Sequence, residues 1–304
     1  MKGKLPTLRD LLQARKSDVT TYLSRICNKK SETFWYKKSP VKKAVTLVCH
    51  VDTSIGDTDS YWDSKSGKYV TVKIKRRIFF DKHAQVFMGP DGLGGDDRAG
   101  VFGLLRVYSA LPDELKPNLL FCDEEETGGR GAREAAKCLT ELKDSLMLIE
   151  LDRRGIKDCV FYNNEPKEFI DYVESFGFKK DFGTFSDISH IGKEVLLCSA
   201  NLSVGYFNEH TRHETLYCSI LNDTIKKTIE LVSAATIAGK VWALPKEEPK
   251  KTSYWDGWNG RQRQLRGLGT VYTKEELERH PYLQEWQDME EQARLNGYEE
   301  FYFH

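Results

Sequence analysis

Ala44-Val45-Thr46-Leu47-Val48-Cys49-His50-Val51-Asp52 is the stretch on which the architecture turns. Its first six residues are apolar or β-branched, as in a strand buried on both faces of a mostly parallel sheet. The run stops at a histidine and, two residues on, an aspartate. Residues two apart on an extended chain point the same way, so Asp52 can sit beside the His50 ring and orient it. Alone, His-x-Asp has a bland alternative, a strand-end histidine facing water.

Helices and strands alternate outward from this run. Upstream, Leu8, Leu11, Leu12, Val19, Tyr22, Leu23 and Ile26 form a broken helical pattern. Downstream, residues 70–74 and 77–80 alternate and predict an antiparallel edge. Helices are expected from Arg98 to near Pro112, over 131–139, around 169–176 and from about 216 to 242. Strands are expected over 119–122, 146–151, 195–198 and 202–207. This order predicts an α/β fold with a mostly parallel, mixed central sheet and helices on both faces. Sites in such sheets lie beyond the carboxyl ends of the strands.

Four further motifs carry acids or histidine. Gly94-Gly95-Asp96-Asp97-Arg98-Ala99-Gly100 sets two carboxylates where a glycine-rich loop enters a helix. A helix N-cap would explain one of them, and a bridge between two metal ions would use both oxygens of Asp96. Asp123-Glu124-Glu125-Glu126 packs four acids after an apolar strand, where they repel unless cations neutralise them. One glutamate would bind metal and a neighbour would act as general base; residue chemistry does not say which. Glu150-Leu151-Asp152 ends another buried run, and a structural cap competes with a ligand role. In His210-Thr211-Arg212-His213-Glu214, His210 is the candidate ligand, His213 reads as exposed, and Glu214 reads as a cap or a support. Carboxylate and imidazole donors without thiolate suit zinc, and their ordered combination points to a hydrolase with two metal ions.

Bulk properties narrow the classes. The 304 residues suffice for one large α/β domain, or one with an appendage. Lys+Arg and Asp+Glu both number 46, so the balance gives no electrostatic reason to expect nucleic acid or an anionic membrane as partner. No apolar run reaches the roughly 20 residues of a bilayer span, and the start lacks a signal-peptide core. Seven scattered cysteines, none in a close pair, read as buried thiols of a reducing compartment, so a cytoplasmic location is expected. After Leu244, Pro245-Lys246-Glu247-Glu248-Pro249-Lys250-Lys251 reads as a linker. The tail beyond it holds Trp255, Trp258, Trp286 and the capping-box spacing Thr273-Lys274-Glu275-Glu276. The expected organisation is one domain over 1–244 and a charged, aromatic appendage over 245–304.

Taken together, Cys49 to Thr53, Gly94 to Gly100, Glu125 to Ala132, Glu150 to Asp152 and His210 to Glu214 resemble the co-catalytic di-zinc exopeptidases. These are the zinc aminopeptidases, tripeptidases and related carboxypeptidases and deacylases. The resemblance covers about two thirds of the chain and implies a zinc-exopeptidase-like fold. Carried over position by position, it implies that His50 and Asp152 hold one zinc and Glu126 and His210 the other. Asp96 would bridge them, Glu125 would be the general base and Asp52 would steady His50. Cobalt or manganese could occupy the same ligands. An aspartate at position 152 inclines the expectation toward an aminopeptidase acting on peptide or aminoacyl substrates. A deacylase or amidase of N-acyl amino acids would use the same centre, and a binding or scaffold protein working through the tail is a third reading. The gaps 53–95 and 153–209 are too short for the inserted domain of many relatives, so a single body with an open site is expected, its self-association undecided. Gly183-Thr184-Phe185-Ser186-Asp187 resembles a segment near the site in relatives, with Asp187 either meeting the substrate amine or structural.

Overall fold

The computed structural model describes residues 5–55, 58–63, 66–73 and 76–245. Helices α1 (Leu8–Gln13) and α2 (Lys16–Ile26) lead into strands β1 (Lys29–Lys30), β2 (Phe34–Lys37) and β3 (Thr46–His50). Then come β4 (Thr58–Asp63), β5 (Lys68–Lys73), β6 (Phe79–Asp81), β7 (Val86–Met88), α3 (Gly95–Ala110), β8 (Asn118–Cys122) and α4 (Arg130–Cys138). The remainder is β9 (Leu148–Arg153), β10 (Asp158–Val160), α5 (Lys167–Glu174), β11 (Lys179–Asp181), α6 (Asp187–Val195), β12 (Ser199–Ser203), β13 (Tyr206–Phe207), β14 (Thr215–Tyr217) and α7 (Cys218–Ala238).

Eight strands form the main sheet in the order β1-β2-β8-β3-β9-β12-β10-β11. The central strands β8, β3, β9 and β12 are parallel, while β2 and β10 join antiparallel. Period-two alternation sorts their side chains into two layers. Leu47, Cys49, Leu119, Phe121, Ile149 and Leu151 pack to one side with residues of α1, α2, α3, α5 and α7. Val48, Leu120, Cys122 and Leu148 pack to the other with Ala132 and Ala135 of α4 and Ile188, Ile191 and Val195 of α6. Each fully buried aliphatic side chain contributes about 1.5–3 kcal/mol, and burial on both faces explains why these strands read as unbroken apolar runs. No helix among the described residues is long and apolar enough to cross a membrane.

Register places the motifs. Val48 lies opposite Glu150 in β9, so His50, two residues on, stands level with Asp152. His50 also pairs with Cys122 of β8, which brings the acids after Cys122 just past the same edge. Gly100 lets α3 lie close on β9. A Cβ there would fall 2.1 Å from the Leu151 carbonyl oxygen and 2.3 Å from Oδ2 of Asp97.

The structure departs from expectation in several elements. Residues 68–73 pair with β4 in a separate two-stranded sheet, and β6 pairs with β7 in a four-stranded sheet completed by β14 and β13. Neither edges the main sheet. The run expected as a strand over 195–198 is the end of α6 and a turn at Leu196, with φ 58°. Ile188, Ile191 and Val195 are the buried stripe of that unforeseen helix. The expected strand over 202–207 breaks at Gly205, where φ is 87°. Cys138 is exposed at the end of α4, although Cys49, Cys122, Cys159 and Cys198 are buried as expected, and all seven thiols are free. Apart from Pro245, the appendage expected over 245–304, with its helix near Thr273, lies outside the described residues.

Candidate metal centre

The end of β3, the start of α3, the loop after β8, the end of β9 and the turn between β13 and β14 meet at one point. His50 is buried, and its Nε2 lies 2.9 Å from Oδ1 of Asp96 and 3.3 Å from Oδ1 of Asp152. His210, on the turn between β13 and β14, points Nε2 to within 3.2 Å of Oδ2 of Asp96 and 3.0 Å of Oε2 of Glu126. Two sets of donor atoms result, His50–Asp96–Asp152 and Asp96–Glu126–His210, each with its atoms within 4.8 Å of one another. Asp96 belongs to both. The residues expected as ligands are thus gathered from five segments, 160 positions apart at the extremes.

Neighbouring groups fix these side chains. Oδ1 of Asp52 lies 3.3 Å from Nδ1 of His50, as the two-residue spacing implies. The same carboxylate also accepts the backbone amides of Glu125 and Glu126, each at 3.2 Å, a contact no spacing argument foresaw. Oε1 of Glu126 accepts the amide of Ser54 at 2.9 Å. Asp97 accepts the amides of His50 (3.2 Å) and Gly100 (2.8 Å). Glu214 accepts the amides of Gly94 (2.7 Å) and Asp96 (2.8 Å), which makes it a support for the loop. Glu124 turns outward to Arg130 at 3.1 Å, leaving Glu125 and Glu126 toward the centre. His213 is exposed.

Some contributors carried no motif. Tyr206 donates its hydroxyl to Oδ1 of Asp152 at 3.1 Å. Asn201 clasps Asp152 by the backbone, accepting its amide at 3.0 Å and donating to its carbonyl at 3.1 Å. Ser186, which does belong to the segment expected near the site, stands at the N-cap of α6 and donates its hydroxyl to the fully buried Glu150. Alternation along β12 puts Asn201 on the same face as Glu150, and only a known sheet order reveals it. Asp187 is fully buried with no N–H or O–H donor on either oxygen among the described residues; the weakly donating Cys122 thiol faces it.

The electrostatics are those of a cation site. Burial opposes charge on His50, yet the carboxylates of Asp152, Asp52 and Asp96 outweigh it and hold the imidazole well above its ordinary pKa. Hydrogen bonds that His210 donates to Asp96 and Glu126 lift its pKa to about 11. Burial first, then nearby carboxylates, pushes Glu125 up to about 9, Asp187 and Glu214 to about 7, and Asp152 to about 6. A cluster richer in carboxylates than in cations thus favours the protonated form of both imidazoles. Divalent cations would take over that neutralising role, and the oxygen and nitrogen donors fit zinc. Burial holds the nearby thiols of Cys49 and Cys122 well above their ordinary pKa, so thiolate ligation does not compete.

Comparison with solved structures bears on this geometry. A tripeptidase from Staphylococcus aureus superposes with TM-score 0.55 at 13% identity, covering 76% of this chain and 97% of that one. Aminopeptidase PepT from Bacillus cereus gives TM-score 0.54 at 12% identity, over 76% and 97%. The chain has the fold of these peptidases. A TET aminopeptidase from a Thaumarchaeota archaeon gives TM-score 0.53 at 14% identity, over 75% and 97%. The likeness to these peptidases is one of fold, and the mixed sheet with helices on both faces is as expected. No protein-family model matches the chain, and no curated protein matches it in sequence.

Proposed function

We propose that this protein is a metal-dependent aminopeptidase that removes the N-terminal residue of peptides with the help of two zinc ions. His50 and Asp152 would hold one ion, Glu126 and His210 the other, and Asp96 both. Asp96 carries the reading, because its two oxygens face two imidazoles from different parts of the chain, at 2.9 and 3.2 Å. A carboxylate so placed has one oxygen for each of two cations. When bound, the ions supply Lewis acidity toward a peptide carbonyl and toward a water.

The chain's own groups do the rest. Glu125 takes the proton of the attacking water and returns it to the leaving amine, a role worth about 10²–10⁴ in rate. The high proton affinity of Glu125 comes from burial and neighbouring carboxylates; bound divalent cations would lower it, in the direction a general base needs. Asp52 positions Glu125 by its amide and His50 by its ring, so base and ligand keep a fixed offset. The peptidase neighbours in fold, and the aspartate at position 152, support a peptide substrate.

The test is metal analysis of the full-length protein together with a panel of free-amine dipeptides and their N-acetyl counterparts. Two zinc ions per chain, turnover of the free-amine series, loss on chelation and recovery on zinc addition are expected. Turnover confined to the N-acetyl series would make the protein a deacylase. Absence of both metal and turnover would remove the reading.

A further inference from the structure

Arg76 belongs to no motif and falls in the 53–95 gap, for which the family resemblance supplied no residue. It is nonetheless buried, and a buried guanidinium destabilises a fold unless acceptors meet it. Its Nη2 donates to Oγ1 of Thr53 at 2.9 Å and to the carbonyl of Ile55 at 2.6 Å. Oγ1 of Thr53 donates in turn to the Ile55 carbonyl at 2.8 Å, which closes the three groups into a ring. Between them, Ser54 gives its amide to Oε1 of Glu126 at 2.9 Å, whereas Oε2 is the oxygen that faces His210. The other terminal nitrogen of Arg76 lies against the loop leading to Asp96. A Cβ on Gly94 would fall 2.5 Å from Nη1 of Arg76 and 3.2 Å from Cγ2 of Thr53. Ile55 crowds Gly92 in the same way, its Cδ1 standing 1.9 Å from where a Cβ would be.

We propose that Arg76 is a positioning residue for the Asp96–Glu126–His210 set: it locks residues 53–55 so that the Ser54 amide holds Glu126, and sets them against the loop that delivers Asp96. The proposal rests on the metal reading above for its ion, and on the contacts of the arginine for its action. Glu126 has a long side chain, and the Ser54 amide pins one of its oxygens while the other stays 3.0 Å from His210. A planar guanidinium suits this task because one nitrogen serves two acceptors in a fixed geometry, which the point charge of a lysine does not. The His50–Asp96–Asp152 set has separate braces. Asp52 meets the His50 ring, Tyr206 the Asp152 carboxylate and Asn201 the Asp152 backbone. Glu214 holds the amide of the shared Asp96. Loss of Arg76 therefore loosens one set and spares the other, an asymmetry that general destabilisation does not produce.

The experiment measures zinc binding by the full chain, in competition with a chelator, for the parent, Arg76→Met, Ser54→Pro and the double variant. His210→Ala identifies the binding step that belongs to the exposed set. Ser54→Pro deletes the amide that holds Glu126. Each single variant should weaken the His210 step about 10–100-fold, the scale for groups that orient ligands, and leave the other step unchanged. The double variant should lose no more than the weaker single one, because both act through one contact. Equal weakening of both steps, no weakening, or additive losses would overturn the proposal. Should Arg76→Met fail to fold, Arg76→Lys takes its place, with the same selective loss expected at smaller size. Hydrogen exchange of the Ser54 amide in the metal-free protein separates this proposal from the metal reading. Arg76→Met should speed that exchange about tenfold, as loss of a charged hydrogen bond implies. A parent that takes up no zinc, with faster Ser54 exchange in Arg76→Met, would sink the metal reading and keep the clasp. Unchanged exchange would remove the clasp whatever the metal content.

Discussion

Glu214 holds Asp96 by its main chain, accepting the Asp96 amide on Oε1 at 2.8 Å while Oε2 takes the amide of Gly94. The acid 118 residues away thus sets where the shared carboxylate stands. Glu214→Gln replaces one acceptor by an NH2 group that meets an N–H, so one bond is lost and a donor repelled. Metal affinity should fall about 10–100-fold, as for other groups that orient ligands. Competition against a chelator measures it, and an unchanged affinity would reduce Glu214 to a loop brace.

Glu125→Gln tests the proton carrier. The glutamine keeps the shape and the backbone hold of Asp52 but takes up no proton at neutral pH. Zinc content should stay the same while kcat drops at least about 10²-fold. Full activity would transfer the base role elsewhere.

Asp187 makes a stability prediction for the metal-free protein. Its pKa is raised from 3.8 to about 7, chiefly by burial. The folded state then holds this proton more tightly than the unfolded chain does. The resulting stability is complete below pH about 4 and is lost as pH rises through about 7. Asp187→Asn has nothing to ionise, so in urea unfolding at pH 8 it should exceed the parent by up to about 4 kcal/mol, about 1.36 kcal/mol for each pKa unit. At pH 4 the advantage should vanish. Parallel stability profiles for the two proteins would contradict the burial argument.

Gly100→Ala asks whether close approach of α3 to β9 shapes the centre. The added methyl would meet the Leu151 carbonyl and the Asp97 carboxylate that binds the His50 amide. The helix must shift, at a cost of about 1–3 kcal/mol or more, and metal affinity should fall with it. Thermal unfolding and metal titration read the two effects separately.

Much of this architecture could be read from residue order because the informative strands are buried on both faces. Thr46 to Cys49, Leu119 to Cys122 and Leu146 to Ile149 are apolar or β-branched runs ending near His50, Glu125 and Asp152, so strand and site announce each other. Helix α6 escaped notice because its stripe, Ile188, Ile191 and Val195, runs directly into the apolar Leu196-Leu197-Cys198, and periodicity blurs in so short a window. Asn201 and Tyr206 escaped for a different reason. Each reaches the centre across the sheet, and contacts of that kind leave no spacing in the chain. Among Glu124, Glu125 and Glu126, the residues alone left the choice open. The outward turn of Glu124 to Arg130 and the grip of Asp52 on the next two amides distinguish them physically.

The two histidines differ in one respect with a practical outcome. His50 is closed in by the sheet, whereas the His210 side chain is 56% exposed on a turn. If filled as proposed, the centre would load and empty in sequence, the solvent-facing ion exchanging first and the walled one last. A protein stripped by mild chelation would then be half-charged, inactive, and restorable by a single equivalent of metal.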